Sequence, residues 1–337
     1  MPTGLLEVTG KIDLAQFWPA GESDADTVKV QLSGTDAFRF RANQNSPSKV
    51  THAFEGAQVH GKVTKDAIDK QQRITIRLQA VDAPELHYRP QAPTLNKVKP
   101  TPAQRAAFNA ANGNFRQHFG ETATVALFNF LSKTGASPLD CVVRTLVDEP
   151  GDVFDTFGRF IGDIFVKVGG KDQSANQWLC ANGWAFPTFY SSMTDDEINL
   201  FAQLAQKARA KKAGIWKKAT SDLTQFDRKL VFRKGGPPDA ASDPGPVIMP
   251  KLFRRRSTFG IARIAKMTKS SFKTYLEAEP DDCYRTDDFL SQGVQAATHR
   301  RLDEFVSPQS KFLVNAGDLV FQEMPSSLLK NGKPVQW

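Results

Sequence analysis

Cysteine is scarce in this chain of 337 residues, which has only Cys141, Cys180 and Cys283. The number is odd, the spacings are long and no C-x-x-C pair occurs, so a disulfide framework and a thiolate metal cluster are excluded and reduced, buried thiols are expected. Histidine is also thin: His52, His60, His87, His118 and His299 form no spaced cluster of the kind zinc requires. There is no run of about eighteen apolar residues, so no membrane span is expected. The start, Met1 to Val8, has neither a basic segment nor a long apolar core. A cytoplasmic location follows as the expectation. Finally, acid is not in excess. Lys and Arg number 44 against 36 Asp and Glu, giving a net charge of +8 and a pI near 9.3, which favours an anionic partner such as nucleic acid.

What the chain does have is a set of short charged fragments at strand ends. Ile74, Ile76 and Leu78 alternate as a strand, and Arg77 points to the face opposite them. Pro84 stops that strand and pushes Ala83 into an extended or turn conformation, which leaves Asp82 and Glu85 in the turn. A strand supplies rigidity and a turn supplies exposure, a combination that suits a reactive site. A second fragment, Asp24-Ala25-Asp26-Thr27-Val28-Lys29-Val30, sets two acids at a turn that enters a strand. A third, Asp155-Thr156-Phe157-Gly158-Arg159-Phe160, puts an arginine between a turn glycine and a strand. Taken singly, each has an ordinary structural reading: aspartates form turns by bonding their own backbone, and a strand arginine makes surface ion pairs.

Together and in this order, the three fragments resemble the staphylococcal nuclease family. The stretch Gln177 to Ala185, containing Ala181-Asn182-Gly183-Trp184, is similar to that family's helix and glycine turn. Ala202 to Trp216, ending Ala213-Gly214-Ile215-Trp216, is similar to its closing helix. The resemblance covers about residues 5–216. It implies an α+β fold: an OB-fold, five-stranded Greek-key β-barrel with about three helices. It also implies a Ca²⁺-dependent phosphodiesterase that hydrolyses DNA and RNA without strong sequence specificity, with water attacking in line and the 5′ oxygen leaving to give 3′-phosphate ends. Hydrolysis of this bond needs an activated water, relief of phosphate repulsion and stabilisation of the charge that builds on oxygen. By resemblance Glu85 is the general base, Arg77 and Arg159 hold the phosphate, and Asp26, Asp82 and the Ala83 carbonyl hold the cation, with Asp24 behind them. Oxygen-only ligation suits Ca²⁺ or Mg²⁺ better than Zn²⁺.

The sequence departs from the family around the nucleotide pocket. Thr156 stands where many members carry lysine and Phe157 where many carry tyrosine. Phe186-Pro187-Thr188-Phe189-Tyr190 replaces a tyrosine-rich segment. Phe157, Phe189 and Tyr190 are the candidate base-stacking residues, although phenylalanine cannot donate a hydrogen bond to a phosphate. His87 follows Glu85 closely and is expected to be a loop residue near the site.

Strand patterns at Leu6–Ile12, Thr27–Leu32, Phe38–Arg41, Arg73–Val81, Val142–Val147 and Phe160–Val168 suit a small barrel. Helical patterns cover 102–111, 122–132, 173–182 and 195–212. In the last, Thr194 is the expected N-cap, and Leu200, Phe201, Leu204, Ala205 and Ala208 the expected apolar face. Insertions are expected at about 36–72, as an extra hairpin or loop, and 88–120, either as a wall of the substrate groove bearing Arg89, Lys97, Lys99 and Arg105 or as decoration away from the cleft.

The expected division is a nuclease-like domain over 1–220, a Gly/Pro-rich linker over 221–246 and a small α+β C-terminal domain over 247–337. Ser257 to Thr268 faintly resembles the opening of a LysM repeat, which would imply cell-wall glycan, whereas Arg254-Arg255-Arg256 would add nucleic-acid affinity. The C-terminal domain is thus left as a contact for an inhibitor or targeting partner. Two other functions stay open: a non-catalytic OB-fold that binds nucleic acid, and a cell-wall adaptor. Retention of Asp26, Arg77, Asp82, Glu85 and Arg159 speaks against the first, because binding a polyanion needs no carboxylates.

Overall fold

In a computed structural model, which describes residues 2–17, 23–232, 245–324 and 326–337, five strands close into a barrel. They are Gly4–Ile12, Thr27–Leu32, Arg73–Leu78, Leu139–Val147 and Phe160–Val168. Each alternates buried and outward residues, as period-two patterning dictates. Leu6, Val8, Val28, Val30, Ile74, Ile76, Val143 and Ile164 point inward. The first strand pairs antiparallel with the second and the second with the third. The third pairs in parallel with the fifth, placing Ile76 opposite Phe160. The fifth then pairs antiparallel with the fourth, and the fourth with the first. This crossed order is the OB-fold Greek key, and closure leaves the barrel no free edge.

The helices follow their caps. Helix α1 (Pro102–Ala111) and helix α4 (Asp195–Ala210) both begin at capping boxes, Thr101 with Gln104 and Thr194 with Glu197. Helix α2 (Gly120–Ser132) and helix α3 (Ala175–Ala181) lie between them in sequence. Helix α4 turns Ile198, Phe201, Ala205 and Ala208 inward, whereas Leu200 is exposed. One helical step rotates about 100°, so Leu200 and Phe201 cannot both face the core. The 36–72 insertion contributes Phe38–Arg41, paired with the first strand, and a hairpin of Gln58–His60 with Thr64–Asp66. All three cysteines are buried and free. Among the described residues no helix is long and apolar enough to cross a membrane.

Residues 247–337 are joined to the barrel by sheet and by core. Helix α5 (Pro250–Ile264) is followed by α6 (Phe272–Ala278) and α7 (Thr286–Gln292). Strand Leu319–Phe321 runs parallel to Phe189–Tyr190, and Ser327–Lys330 pairs with Gln58–His60. A second core holds Phe108 and Phe115 of the 88–120 insertion together with Phe186, Ile215, Leu252, Phe253 and Phe259. The LysM-like stretch begins inside α5, where Ser257, Thr258, Phe259, Ile261 and Ala262 are buried and so face the core. Of the expected Gly/Pro-rich linker over 221–246, residues 233–244 lie outside the described residues.

One barrel residue gives the fold a pH dependence. Asp163 on the fifth strand accepts Ser174 Oγ–H at both oxygens, at 2.6 and 2.8 Å. Burial pushes its pKa from 3.8 to about 7, raised further by Glu197 and opposed by Ser174, Asn176 and Arg144. The folded state therefore binds this proton more tightly than the unfolded state, and the associated stability is lost as pH rises from about 4 through about 7. Asp163→Asn keeps the shape without the charge. It is expected to flatten this slope and raise the melting temperature at pH 8 by a few degrees. Melting curves from pH 4.5 to 8 check it, and parallel profiles for the two proteins would assign the slope elsewhere.

Candidate active site

Barrel register brings the three charged fragments together. Thr27 lies opposite Arg77, and Leu78 N–H donates to the Asp26 carbonyl at 2.9 Å, so the acidic turn meets the end of the third strand. The chain then reverses at Ala80, a non-glycine residue at φ 65°, whose carbonyl accepts Thr188 N–H at 3.0 Å. Val81 and Asp82 pair antiparallel with Phe186 and Pro187, Asp82 lying opposite Phe186. As a result Ala83 N–H donates to Asp26 Oδ2 at 2.7 Å, locking the two acidic turns side by side.

Arg77 is a brace between these turns. Its Nη1 lies 3.1 Å from Asp26 Oδ2 and donates to the Val81 carbonyl at 2.9 Å, while Nη2 donates to Asp82 Oδ1 at 2.8 Å. Arg159 sits further out. It forks onto Asp155 at 2.7 Å through both Nε and Nη2, and reaches Thr27 Oγ1 at 3.4 Å. Thr27 Oγ1 in turn donates to Asp26 Oδ1 at 3.3 Å, which links the outer arginine to the carboxylates. Phe157 is 44% exposed, with Lys62 Nζ 5.5 Å and the Arg159 guanidinium 5.8 Å from its ring centre. An aromatic face flanked by cations suits a stacked base beside a phosphate.

The other two expected stacking residues are placed differently. Phe189 is fully buried, covered by the parallel strand Leu319–Phe321, and is a core residue rather than a substrate contact. Tyr190 is half-buried against Phe321, with Lys251 Nζ 6.0 Å from its ring. His87 approaches Asp24 at 3.8 Å and packs edge-on to Phe232 at the margin of the site.

Glu85 is held by residues that sequence reading missed. Its N–H donates to Gln117 Oε1 at 3.0 Å, its carbonyl accepts Gln117 N–H at 2.8 Å, and Gln117 Nε2 donates to the Ile248 carbonyl at 2.9 Å. A Cβ on Gly120 would lie 2.5 Å from the Glu85 carbonyl oxygen, so only glycine lets α2 begin against this turn. The 88–120 insertion thus acts on the site through Gln117 and Gly120. Its own helix α1 rests on α5, where Gln104 Nε2 donates to the Lys266 carbonyl at 3.0 Å. Arg89, Lys97, Lys99 and Arg105 are exposed. Arg254, from α5, was legible only as one member of a basic triplet. Its Nη1 and Nη2 fork onto Asp82 Oδ1 and Oδ2, both at 3.1 Å, and Nη1 also bonds Glu85 Oε1.

These contacts pull the carboxylates apart electrically. Burial pushes Asp82 up, but Arg254 and Arg77 overcome it and hold the group below the usual carboxylate range. Burial raises Glu85, aided by Asp82 and Asp26 and opposed by Arg254. A raised carboxylate is better suited to accept a proton from water. Asp24 is pushed up to about 7 by burial, with Asp26 and Glu85 adding to the rise and His87 and Arg77 opposing it. Asp26, Asp82 and the Ala83 carbonyl form a hard-oxygen set that fits Ca²⁺ or Mg²⁺ in kind. In this structure both Asp82 oxygens carry the Arg254 fork. Among the described residues there is no group of three or more His, Cys, Asp or Glu side chains arranged to hold a metal.

The family model for staphylococcal nuclease homologues matches residues 75–218. The matched stretch includes Arg77, Asp82, Ala83, Glu85, Phe157 and Arg159. Asp24 and Asp26 precede it and join the site through barrel register. No curated protein matches the chain.

Proposed function

Because the chain carries a staphylococcal nuclease homologue domain, we propose that it is a divalent-cation-dependent nuclease that hydrolyses phosphodiester bonds of DNA and RNA and leaves 3′-phosphate ends. The observation that carries this reading is the convergence of Asp26 and Asp82 from two separate turns on the Arg77 brace, with Glu85 joined to Asp82 through Arg254. Nucleic-acid binding alone gives no reason to gather acids where a polyanion must approach.

The residues divide the work. Glu85 orients the attacking water and takes its proton. Arg159, at the outer edge, holds a phosphate oxygen through charge-assisted hydrogen bonds. Phe157 stacks on a base and fixes the strand. Arg77 keeps the Asp26 and Asp82 carboxylates at one spacing. A Ca²⁺ held by Asp26, Asp82 and the Ala83 carbonyl would supply charge neutralisation and polarisation of the phosphoryl group.

The test mixes full-length protein with single-stranded DNA, duplex DNA and RNA, each with Ca²⁺ or with chelator, beside Glu85→Gln. Cleavage that needs Ca²⁺ and falls about 10²–10⁴-fold in Glu85→Gln is expected, since that is the usual worth of a positioned base. Product 5′ ends that take a kinase label without prior phosphatase, and 3′ ends that can be extended only after phosphatase, identify 5′-hydroxyl and 3′-phosphate products. Retention of substrate without cleavage under every divalent cation would replace the nuclease with a binding OB-fold.

A further inference from the structure

We propose that Arg254 is an intramolecular competitor of the cation: its guanidinium occupies the metal-facing oxygens of Asp82 and caps Glu85, so a divalent ion binds only when that side chain withdraws. This inference rests on the nuclease reading and assigns it a built-in restraint.

Helix geometry singles out Arg254. Successive helical residues diverge by about 100°, so the triplet Arg254-Arg255-Arg256 fans out. Arg255 goes to Asp281 at 2.8 Å and Glu279 at 3.8 Å, while Arg256 lies over Phe259 and Phe272 at 5.2 and 5.3 Å. Only Arg254 faces the site. The helix behind it is fixed. Leu252 and Phe253 are buried in the second core, Thr258 Oγ1 bonds Tyr88 Oη at 3.1 Å, and Gln117 ties the Glu85 turn to Ile248 just before the helix. Lys251, one turn-step away, is held by Asp281 at 3.4 Å and by the Phe321 ring at 4.2 Å. The Arg254 side chain is 28% exposed, so a route to solvent exists while its backbone stays in place.

Charge makes the two occupants mutually exclusive. Asp82 has no exposed side-chain surface, and a bare buried carboxylate is costly, so some cation must neutralise it. Arg77 and Arg254 share Oδ1, and Arg254 alone takes Oδ2. A divalent ion reaches Oδ2 only by displacing the Arg254 fork, since a third cation on this carboxylate would repel both guanidinium groups at close range in a poorly solvated site. The same guanidinium bond to Glu85 occupies an oxygen that the attacking water needs. An arginine that merely fastened the helix would leave cation affinity unaffected.

The measurement is isothermal titration of the full-length protein with Ca²⁺ alone, for the wild type, Arg254→Gln and Arg254→Lys, with Asp82→Asn locating the ion. Coupling between two such occupants ranges over about 5–150-fold. Arg254→Gln is therefore expected to bind Ca²⁺ on the order of tenfold more tightly, and Arg254→Lys, which keeps the charge but loses the fork, to fall between it and the wild type. Melting curves confirm that each variant is folded, and the lysine variant carries the test where glutamine fails to fold. Equal or weaker Ca²⁺ binding in both variants overturns the competition, as does tighter binding that survives Asp82→Asn. The nuclease reading stands or falls separately on the Glu85→Gln cleavage assay.

Discussion

Arg77→Met is expected to abolish detectable cleavage and to destabilise the protein by about 3–5 kcal/mol, the usual cost of removing one partner from a buried ion pair. The reason is its position rather than its charge alone. Only 12% of the side chain is exposed, and its hydrogen bonds run to Asp82, to the Val81 carbonyl and, at 3.4 Å, to the Asp26 carbonyl. Methionine fills the space but leaves Asp26 without its guanidinium and Asp82 dependent on Arg254. The two carboxylates then repel, and the contact between Ala83 N–H and Asp26 that sets their spacing loses its support. Arg77→Lys separates charge from geometry. One ammonium cannot span Asp26, Asp82 and a carbonyl as a fork does, so partial recovery of stability with little recovery of cleavage is expected. Urea unfolding and single-turnover cleavage on the same samples read the two effects. A stable Arg77→Met protein that still cuts would place the brace outside the reaction.

That residue also shows why so much of the site was legible in the sequence. The barrel strands announce themselves by alternation, and the three charged fragments lie at strand ends whose order along the chain is kept. Once the barrel closes, Thr27 against Arg77 and Phe160 against Ile76 convert that order into proximity. What stayed illegible depends on contacts made across long separations. Arg254 meets Glu85 from 169 positions away, and nothing local distinguishes it from Arg255 or Arg256. Phe189 reads equally as a stacking ring or as core in an aromatic run, and a strand from the far end of the chain, Leu319–Phe321, pairs beside it where it is buried. Gln117 lies in a segment read for its positive charges, yet it acts through an uncharged amide on the backbone of Glu85. Period and spacing report on what a residue does within its own element. They are silent on which distant element arrives to meet it.

Gly214→Ala carries the second large effect, because two glycines meet there backbone to backbone. Gly183, whose φ is +70°, follows the end of helix α3, and Gly214, whose φ is +50°, follows α4. Ile215 N–H donates to the Gly183 carbonyl at 2.8 Å, which joins the two helix ends. A Cβ on Gly214 would lie 2.1 Å from that carbonyl oxygen, and one on Gly183 would lie 2.5 Å from the Ala213 oxygen. Alanine at 214 therefore suffers both a left-handed backbone, at about 1–2 kcal/mol, and a collision with main chain that cannot rotate away, at about 1–3 kcal/mol more. The displacement has a direct path to the site. Ile215 is buried in the second core, Trp216 packs on Phe186 with ring centres 5.1 Å apart, and Phe186 is the strand partner of Asp82. A loss of roughly 3 kcal/mol or more, with a fall in cleavage that persists where the variant is fully folded, is expected. Gly169→Ala is the matched control. It also has a positive φ, +59°, but nothing lies within 4 Å of its Cβ position, so it isolates the backbone cost from the collision. If both variants unfold at the same urea concentration, the contact between the helix ends contributes nothing beyond backbone strain.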